Sequence, residues 1–219
     1  MIKAVIFDMD GLMFDTERLW DTLWEPTCRA LGLEMPQDLE AFFTGGRGLA
    51  GVKLNEHIQK FFPQADPQVI VEKIWELAEQ RFAQGVPCKP GLAELLETLE
   101  EKKLPRIVAS SSPRALIQKN LETTGMARYF DQVVCGADVR YSKPAPDIFL
   151  EAARRLGVDI RDCLVLEDSF NGVRAGHAAG AVTVMVPDIA QPDEEIRALY
   201  NRCCKDLFEV RQLLLDGQL

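Results

Sequence analysis

Short apolar runs alternate with longer segments of helical periodicity from residue 86 onward, and this alternation limits the folds that the chain can adopt. The apolar runs predict strands at residues 106–109, 132–135, 163–166 and 182–186. The segments between and around them predict helices at residues 92–99, 113–125, 146–157, 172–179, 193–200 and 206–215. Because strands that alternate with helices form parallel sheets covered on both faces, we predict an α/β fold with a doubly wound parallel sheet.

A helical segment interrupts this pattern directly after the first strand. That strand is predicted at residues 5–7, whereas the segment that follows has helical periodicity alone, with helices at residues 16–31, 52–62 and 67–84. Asp15 is the predicted N-cap of the first of these helices, and Asn171 is the predicted N-cap of the helix at 172–179. We therefore infer an α/β core of residues 1–15 and 86–219 and an inserted α-helical domain of residues 16–85.

The charge and the cysteines of the chain argue against several classes of protein. A net charge of −9 makes nucleic acid and anionic membranes poor partners, because the field of the chain repels polyanions. No stretch approaches the roughly 20 apolar residues of a membrane span, and Asp8 interrupts the first apolar run. The six cysteines form no Cys-x-x-Cys pair, which is typical of free thiols in a reducing compartment. We expect a cytoplasmic protein without nucleic-acid or membrane partners, and nothing in the sequence indicates more than a monomer.

Polar and charged side chains follow four of the predicted strands. In chain order they are Asp8 and Asp10, then Ser110, Ser111 and Ser112, then Lys143, and finally Glu167 and Asp168. Ligands bind beyond the carboxyl ends of parallel strands, so we expect these groups to converge at one edge of the sheet. The sequence therefore predicts a site made of carboxylates, hydroxyls and one ammonium group.

Such a site is suited to phosphoryl transfer, which needs an in-line nucleophile, neutralised phosphoryl oxygens and a proton for the leaving oxygen. Asp8 can be the nucleophile and form an aspartyl phosphate. Asp10 lies beside it and is suited to general acid–base catalysis. Because two carboxylates would repel each other, we expect Mg²⁺ between Asp8 and Asp168, with Lys143 offsetting the remaining charge. Ser110 can donate a hydrogen bond to the phosphoryl oxygens.

Each of these residues also has a simpler interpretation. An EF-hand loop beginning at Asp8 is excluded, because the positions that would need glycine and glutamate hold Met13 and Leu19. Taken alone, Ser110 is typical of a helix N-cap, and Glu167 could accept backbone hydrogen bonds instead of binding metal. The phosphoryl-transfer interpretation therefore depends on the joint occurrence of these residues.

Four segments resemble the motifs of one enzyme superfamily. They are "DMDGLMFDTE" from residue 8, "VASSS" from residue 108, "SKPAPDIF" from residue 142 and "LVLEDSFNGVRAG" from residue 164. In type and order they resemble the motifs of the haloacid dehalogenase (HAD) superfamily, in its branch with a helical cap inserted after the first motif. The resemblance implies a HAD-like Rossmannoid core and a cap at residues 16–85.

The resemblance also implies a role for each residue of the site. Asp8 would be the nucleophile, and Asp10 would be the general acid and base. The phosphoryl group would be held by Ser110, Ser111 and Lys143. The ligands of Mg²⁺ would be Asp8, Asp10 through its backbone carbonyl, Asp168, and Glu167 either as a ligand or as a support for the ligands.

Asp10 and two residues of the cap narrow the activity that the resemblance implies. Dehalogenases and phosphonatases of the superfamily typically lack the second acid of the Asp-x-Asp motif, so Asp10 argues against both. The chain is most similar to the β-phosphoglucomutases and the sugar-phosphate phosphatases. Mutases of this type carry a histidine early in the first cap helix, where this chain has Trp20. Arg47, in "TGGRGLAG", is a candidate cap residue for holding the substrate.

Three functions follow as hypotheses. The first is a Mg²⁺-dependent phosphatase that hydrolyses a small phosphorylated metabolite, a sugar phosphate, through an aspartyl phosphate. The second is a β-phosphoglucomutase-type phosphosugar mutase, in which a sugar hydroxyl instead of water attacks the phosphoaspartate. The third is an inactive protein of this fold that binds phosphate or metal and has a regulatory role.

Overall fold

The chain forms two compact units. The computed structural model describes residues 2–46, 49, 51–83 and 85–219. One unit, the α/β unit, combines Met1–Asp15 with Val86–Leu219, and the other, the helical unit, is Thr16–Gly85. Among the helices described, none combines the length and the apolar character needed to span a lipid bilayer.

Six parallel strands form one sheet in the part of the chain that the structure describes. They are β1 (Ala4–Phe7), β2 (Arg106–Ser110), β3 (Val133–Cys135), β4 (Cys163–Glu167), β5 (Val182–Met185) and β6 (Arg202–Cys203). Their order across the sheet is β3-β2-β1-β4-β5-β6, and every pairing is parallel. The predicted α/β fold with a parallel sheet is confirmed. The chain builds outward from β1 to β3 and then from β4 to β6, and sheets of this kind bind ligands where the strand order reverses, beside β1.

The described residues form ten α-helices. In chain order they are α1 (Thr16–Leu31), α2 (Leu39–Gly46), α3 (Gly51–Phe61), α4 (Pro67–Phe82), α5 (Leu92–Glu101), α6 (Arg114–Thr123), α7 (Asp147–Leu156), α8 (Phe170–Ala179), α9 (Glu194–Arg197) and α10 (Leu207–Leu215). Short 3₁₀ helices cover Met126–Tyr129, Gly136–Asp138 and Ile160–Asp162. The first four α-helices belong to the helical unit and the others to the α/β unit.

The central strands are apolar along their length because helices cover the sheet. Every residue of β1 and of β4 is buried. Ile6, Ile107 and Val165, from three adjacent strands, pack with Phe149 of α7 in one cluster. Continuous apolar runs are typical of buried parallel strands, and this is why such runs locate the strands in the sequence.

The helical unit has an apolar core of its own around Phe42. The centroid of the Phe42 ring lies 4.7 Å from that of Trp24, 5.2 Å from that of Phe61 and 5.7 Å from that of Phe62. The His57 ring stacks on Phe42 at 5.5 Å, and its Nε2 lies 2.8 Å from the Phe42 carbonyl oxygen. The aromatic residues around Phe42 therefore form this core, since edge-to-face ring pairs stabilise packing beyond the area that they bury.

The sequence pattern does not predict α2 or β6. Within α2 only Phe42 is buried, and the helix ends in Gly45 and Gly46. It begins where Oδ1 of Asp38 accepts a hydrogen bond from the Ala41 N–H at 2.9 Å. The two residues of β6 are exposed. Elements with so few buried positions produce no apolar periodicity, so they escape recognition from sequence.

Helix α8 begins at a different residue from the one predicted. Ser169 is its N-cap, with Oγ accepting a hydrogen bond from the Gly172 N–H at 3.1 Å. The prediction that Asn171 caps this helix is wrong, because Asn171 lies inside the first turn, which starts at Phe170. Serine and asparagine are both favoured at N-caps, so sequence preference alone does not choose between them.

Candidate active site

The carboxyl ends of β1, β2 and β4 lie at the same edge of the sheet. Phe7, the last residue of β1, pairs with Val108 in β2 and with Leu166 in β4. The backbone N–H of Asp8 continues this pairing by donating to the Leu166 carbonyl oxygen at 3.0 Å. The polar residues that end or follow these strands therefore meet at one edge of the sheet, as the strand pattern predicts.

Lys143 joins the ends of β1 and β4. Its Nζ donates hydrogen bonds to Asp8 Oδ1 at 2.5 Å and to Glu167 Oε1 at 2.6 Å, and a longer one to the Ala109 carbonyl oxygen at 3.4 Å. The Lys143 side chain is 8% exposed, and Nζ lies 4.9 Å from the centroid of the Phe149 ring. Because an ammonium group has three N–H donors, these acceptors satisfy it. A buried cation is thus held directly against the Asp8 carboxylate.

Glu167 is fully buried, and both of its carboxylate oxygens accept hydrogen bonds. Oε1 accepts from Lys143, while Oε2 accepts from the Asp168 N–H at 3.0 Å and from the N–H and hydroxyl of Ser169 at 2.9 Å each. Gly172 packs so closely that a Cβ there would lie 1.7 Å from Oε1. These contacts favour Glu167 as a support that orients Lys143 and the Asp168 backbone, which is one of the two roles that the sequence leaves open.

Two serine hydroxyls converge on one oxygen of Asp10. Ser112 Oγ donates to Asp10 Oδ2 at 2.7 Å, and Ser110 Oγ donates to the same oxygen at 3.2 Å. The Ser112 N–H in turn donates to Ser110 Oγ at 3.0 Å. Ser110 does not cap α6, which begins at Arg114 after Pro113. Sequence reasoning assigns no role to Ser112, because three consecutive serines give no sign of which hydroxyl reaches Asp10.

Three carboxylates form a group that could hold a metal ion. One oxygen each of Asp8, Glu167 and Asp168 lie within 4.8 Å of one another. Gly11 packs against Asp168, and a Cβ on Gly11, whose φ is +83°, would lie 2.2 Å from Asp168 Oδ2. An all-oxygen set of hard anionic donors fits Mg²⁺. The residues present therefore fit the predicted cation, and a glycine at position 11 leaves room for the Asp168 carboxylate.

The side chains of the site include more carboxylates than ammonium groups. Burial raises the pKa of the Asp8 carboxyl to about 8, with Lys143 acting in the opposite direction and the charges of Glu167 and Asp10 adding to the rise. Burial by itself lowers the pKa of the Lys143 ammonium, but Asp8 and Glu167 outweigh it, so this pKa lies above its ordinary value. The carboxylates outnumber the single ammonium, and a divalent cation would offset the excess negative charge.

The remaining candidate residues lie apart from these contacts. Ser111 is exposed, and its carbonyl oxygen is so close to Gly136 that a Cβ on Gly136 would lie 2.9 Å from it. Arg47 lies outside the described residues. Trp20 packs within the helical unit, with ring centroids 4.9 Å from Trp75 and 5.3 Å from Phe82. The structure therefore brings together the predicted residues of the α/β unit other than Ser111, whose part in the site stays a prediction.

A model of haloacid dehalogenase-like hydrolases matches residues 2–180. The chain belongs to this family. The match covers all four motifs on which the resemblance was based, and it confirms that resemblance.

Relatives in the haloacid dehalogenase-like family include named phosphatases. Hexitol phosphatase B of Escherichia coli (strain K12) is 33% identical over 186 residues, which cover 85% of this chain and 84% of that protein. The phosphorylated carbohydrates phosphatase of Thermotoga maritima is 30% identical over 183 residues, covering 82% of each chain. The crystal structure of a HAD family hydrolase from Deinococcus radiodurans R1, with bound phosphate and sodium, has a TM-score of 0.81 at 26% identity and covers 99% of this chain and 96% of its own. The structural similarity therefore extends over nearly the whole chain.

Proposed function

We propose that this haloacid dehalogenase-like hydrolase is a Mg²⁺-dependent phosphatase that hydrolyses a small phosphorylated metabolite, a sugar phosphate, through an aspartyl phosphate on Asp8. The observation that carries the proposal is the bond of the buried Lys143 Nζ to Asp8 Oδ1, beside the carboxylates of Glu167 and Asp168. A nucleophile, a fixed cation and oxygen ligands for a metal are the parts that phosphoryl transfer needs. The relatives named hexitol phosphatase B and phosphorylated carbohydrates phosphatase support a sugar phosphate as the substrate.

The first half-reaction transfers the phosphoryl group to the protein. A carboxylate oxygen of Asp8 forms a bond to phosphorus while the ester P–O bond breaks. Asp10 gives a proton to the departing alcohol oxygen. Lys143 holds Asp8 in position and offsets charge on the phosphoryl oxygens, which also accept hydrogen bonds from Ser110 and from the backbone of Ser111.

The second half-reaction releases inorganic phosphate. Asp10, now a carboxylate, takes a proton from a water molecule as that water attacks the phosphorus. The bond between phosphorus and the Asp8 oxygen breaks, and the Asp8 carboxylate is restored beside Lys143. The same side chain thus serves as acid and then as base, and the enzyme ends in the protonation state in which it began.

The carboxylates of Asp8 and Asp168, supported by Glu167, would hold Mg²⁺ together with the Asp10 backbone carbonyl. When bound, the cation would supply positive charge that lowers the repulsion between Asp8 and the phosphoryl oxygens. We further propose that the α/β unit is the catalytic core and the helical unit is a cap that selects the substrate through residues such as Arg47. We also propose that the protein acts as a monomer in the cytoplasm.

The purified protein with Mg²⁺ is expected to release phosphate from 4-nitrophenyl phosphate and from members of a panel of sugar phosphates. Excess EDTA is expected to lower the rate by at least about 100-fold, because the crowded carboxylates would then repel the phosphoryl group. Added Mg²⁺ should restore it, and a colorimetric phosphate assay measures both changes. Failure to hydrolyse any phosphoester in the panel would contradict the proposed phosphatase activity. A rate insensitive to EDTA would contradict the proposed requirement for Mg²⁺.

Asp10→Asn is expected to slow the hydrolysis of esters with a strongly basic leaving oxygen far more than that of esters with a weakly basic one. Only a strongly basic leaving oxygen needs a proton as the P–O bond breaks. We expect kcat/KM for phenyl phosphate to fall by about 100-fold and that for 4-nitrophenyl phosphate by less than about tenfold. The matched control is Asp206→Asn, which keeps a residue able to cap α10. Equal losses on both substrates would rule out a proton-transfer role for Asp10.

The mutase hypothesis differs in the group that attacks the phosphoaspartate, and one assay separates the two. The protein is incubated with β-glucose 1-phosphate and a catalytic amount of glucose 1,6-bisphosphate. We expect free phosphate to appear faster than glucose 6-phosphate. The opposite order would overturn hydrolysis as the main reaction while leaving the role of Asp8 intact.

A further inference from the structure

We propose that Ser112 is a positioning residue for Asp10, holding its carboxyl group in the orientation that proton transfer requires. The inference rests on the proposed function, because it concerns the proton that Asp10 gives to the leaving oxygen. Its basis is the hydrogen bond from Ser112 Oγ to Asp10 Oδ2 at 2.7 Å, between residues 102 positions apart in the chain. A proton donor must lie within hydrogen-bond reach of the atom that it serves, so its orientation affects the rate directly.

The Ser112 bond, rather than the Ser110 bond, persists when a phosphoryl group is bound. A serine has one O–H donor, and Ser110 now directs that donor to Asp10 Oδ2 at 3.2 Å. If Ser110 donates to a phosphoryl oxygen, as proposed, it can no longer donate to Asp10. Ser112 then remains as the hydroxyl that holds the carboxyl group.

The Ser112 bond also selects which oxygen of Asp10 carries the transferred proton. In a carboxylic acid the carbonyl oxygen accepts hydrogen bonds better than the hydroxyl oxygen. An Asp10 that accepts from Ser112 at Oδ2 and carries a proton therefore has that proton on Oδ1. In the proposed step the ester P–O bond breaks and the hydrogen on Oδ1 passes to the departing oxygen. Ser112 keeps its own proton throughout, so it positions the donor without taking part in the transfer.

The backbone around Ser112 is held in place by two further contacts. The Ser112 N–H donates to Ser110 Oγ at 3.0 Å. Gly136, which directly follows β3, packs against the same loop, since a Cβ on Gly136 would lie 2.9 Å from the Ser111 carbonyl oxygen. The loop therefore presents the Ser112 hydroxyl to Asp10 from a fixed position, which is what a positioning residue needs.

Ser112→Ala is the direct test, with phenyl phosphate and 4-nitrophenyl phosphate as probes in saturating Mg²⁺. We expect kcat/KM for phenyl phosphate to fall by about tenfold, because part of the acid–base contribution is lost, and that for 4-nitrophenyl phosphate by less than about twofold. Ser112→Thr, which retains a hydroxyl, should restore most of the lost rate. In the Asp10→Asn background, Ser112→Ala should add less than about a twofold further loss, since the two residues act as a unit.

Thr123→Ala is the matched control, because it removes an exposed hydroxyl that donates to the Lys119 carbonyl oxygen in α6. Its rates on both probes should equal those of the wild type. Equal slowing of both probes by Ser112→Ala, full additivity with Asp10→Asn, or no change would each overturn the inference. In all three cases the wild-type protein still hydrolyses the probes, whereas a wild type without phosphatase activity contradicts the proposed function itself.

Discussion

Asp8→Asn is expected to lower kcat for phosphate release by at least about 10⁴-fold, since a neutral amide cannot replace the attacking carboxylate. The change is nearly isosteric, and Lys143 keeps its bond to Glu167 at 2.6 Å. The fold should therefore persist, and circular dichroism and thermal unfolding should resemble those of the wild type. Mass spectrometry after acid quenching should find phosphate on the peptide that contains Asp8 in the wild type and not in the variant.

Asp162→Asn provides the matched control for Asp8→Asn. Asp162 accepts a hydrogen bond from Lys3 Nζ at 2.7 Å and immediately precedes β4, at the opposite end of that strand from Glu167. Its replacement by asparagine should leave kcat unchanged, because it removes a partly exposed charge distant from the strand ends that carry the site. If Asp8→Asn retained more than about a tenth of the wild-type turnover, the aspartyl-phosphate mechanism would be wrong.

Lys143→Met is expected to lower the free energy of unfolding by about 3–5 kcal/mol near pH 8, because it leaves two buried carboxylates without their cation. Methionine keeps an unbranched apolar chain over the Phe149 ring, so the loss reflects charge more than packing. Activity should fall by at least about 100-fold, since the charge that orients Asp8 is gone. Urea unfolding in EDTA, followed by circular dichroism, measures the stability.

The destabilisation by Lys143→Met should shrink as the pH falls. Burial raises the pKa of Asp8 to about 8 even in the presence of Lys143, and removal of the ammonium raises this pKa further. A carboxyl group whose pKa is higher in the folded state gains a proton on folding. Its contribution to stability is complete below the unfolded pKa and is lost as the pH rises through the folded pKa. The free energy of unfolding of the variant should therefore be closer to that of the wild type near pH 5 than near pH 8.

Lys3→Met is the control for this comparison. Lys3 pairs with Asp162 at 2.7 Å, but its side chain is 64% exposed, so water already screens the charge. Its loss should change the stability little at either pH. A Lys143→Met variant as stable as the wild type near pH 8 would mean that the ammonium does not offset the buried carboxylates.

Most of the fold can be predicted because its elements have strong local patterns. Buried parallel strands are continuous apolar runs, and the first helix of the helical unit shows helical periodicity over residues 16–31, the range of α1. Helix α2 and strand β6 are the exceptions, because they bury almost nothing. The choice of Ser169 instead of Asn171 as the cap of α8 depends on backbone geometry that residue preference does not contain.

The role of Glu167 is an example of what sequence reasoning leaves open at the site. An acid beside Asp168 can bind a metal or accept hydrogen bonds, and the residue type permits both. Its complete burial and the four donors on its two oxygens appear only when Lys143 and the Ser169 turn are in place. The steric dependence on Gly172 likewise needs coordinates, since it concerns a distance across the turn.

The sequence by itself placed the carboxyl ends of β1 to β5 to within one residue, and with them the parallel sheet and the polar residues that gather at its edge. These are properties of local composition and chain order, which a parallel topology converts into neighbours at one edge. Only the tertiary structure decided which of those neighbours touch. Asp8 and Lys143 are 135 positions apart, and Asp10 and Ser112 are 102 apart. Such contacts depend on strand register, loop path and side-chain rotamer together. The local pattern therefore does not distinguish Ser112 from the two serines before it, although the Ser112 hydroxyl bonds to Asp10, the proposed proton donor.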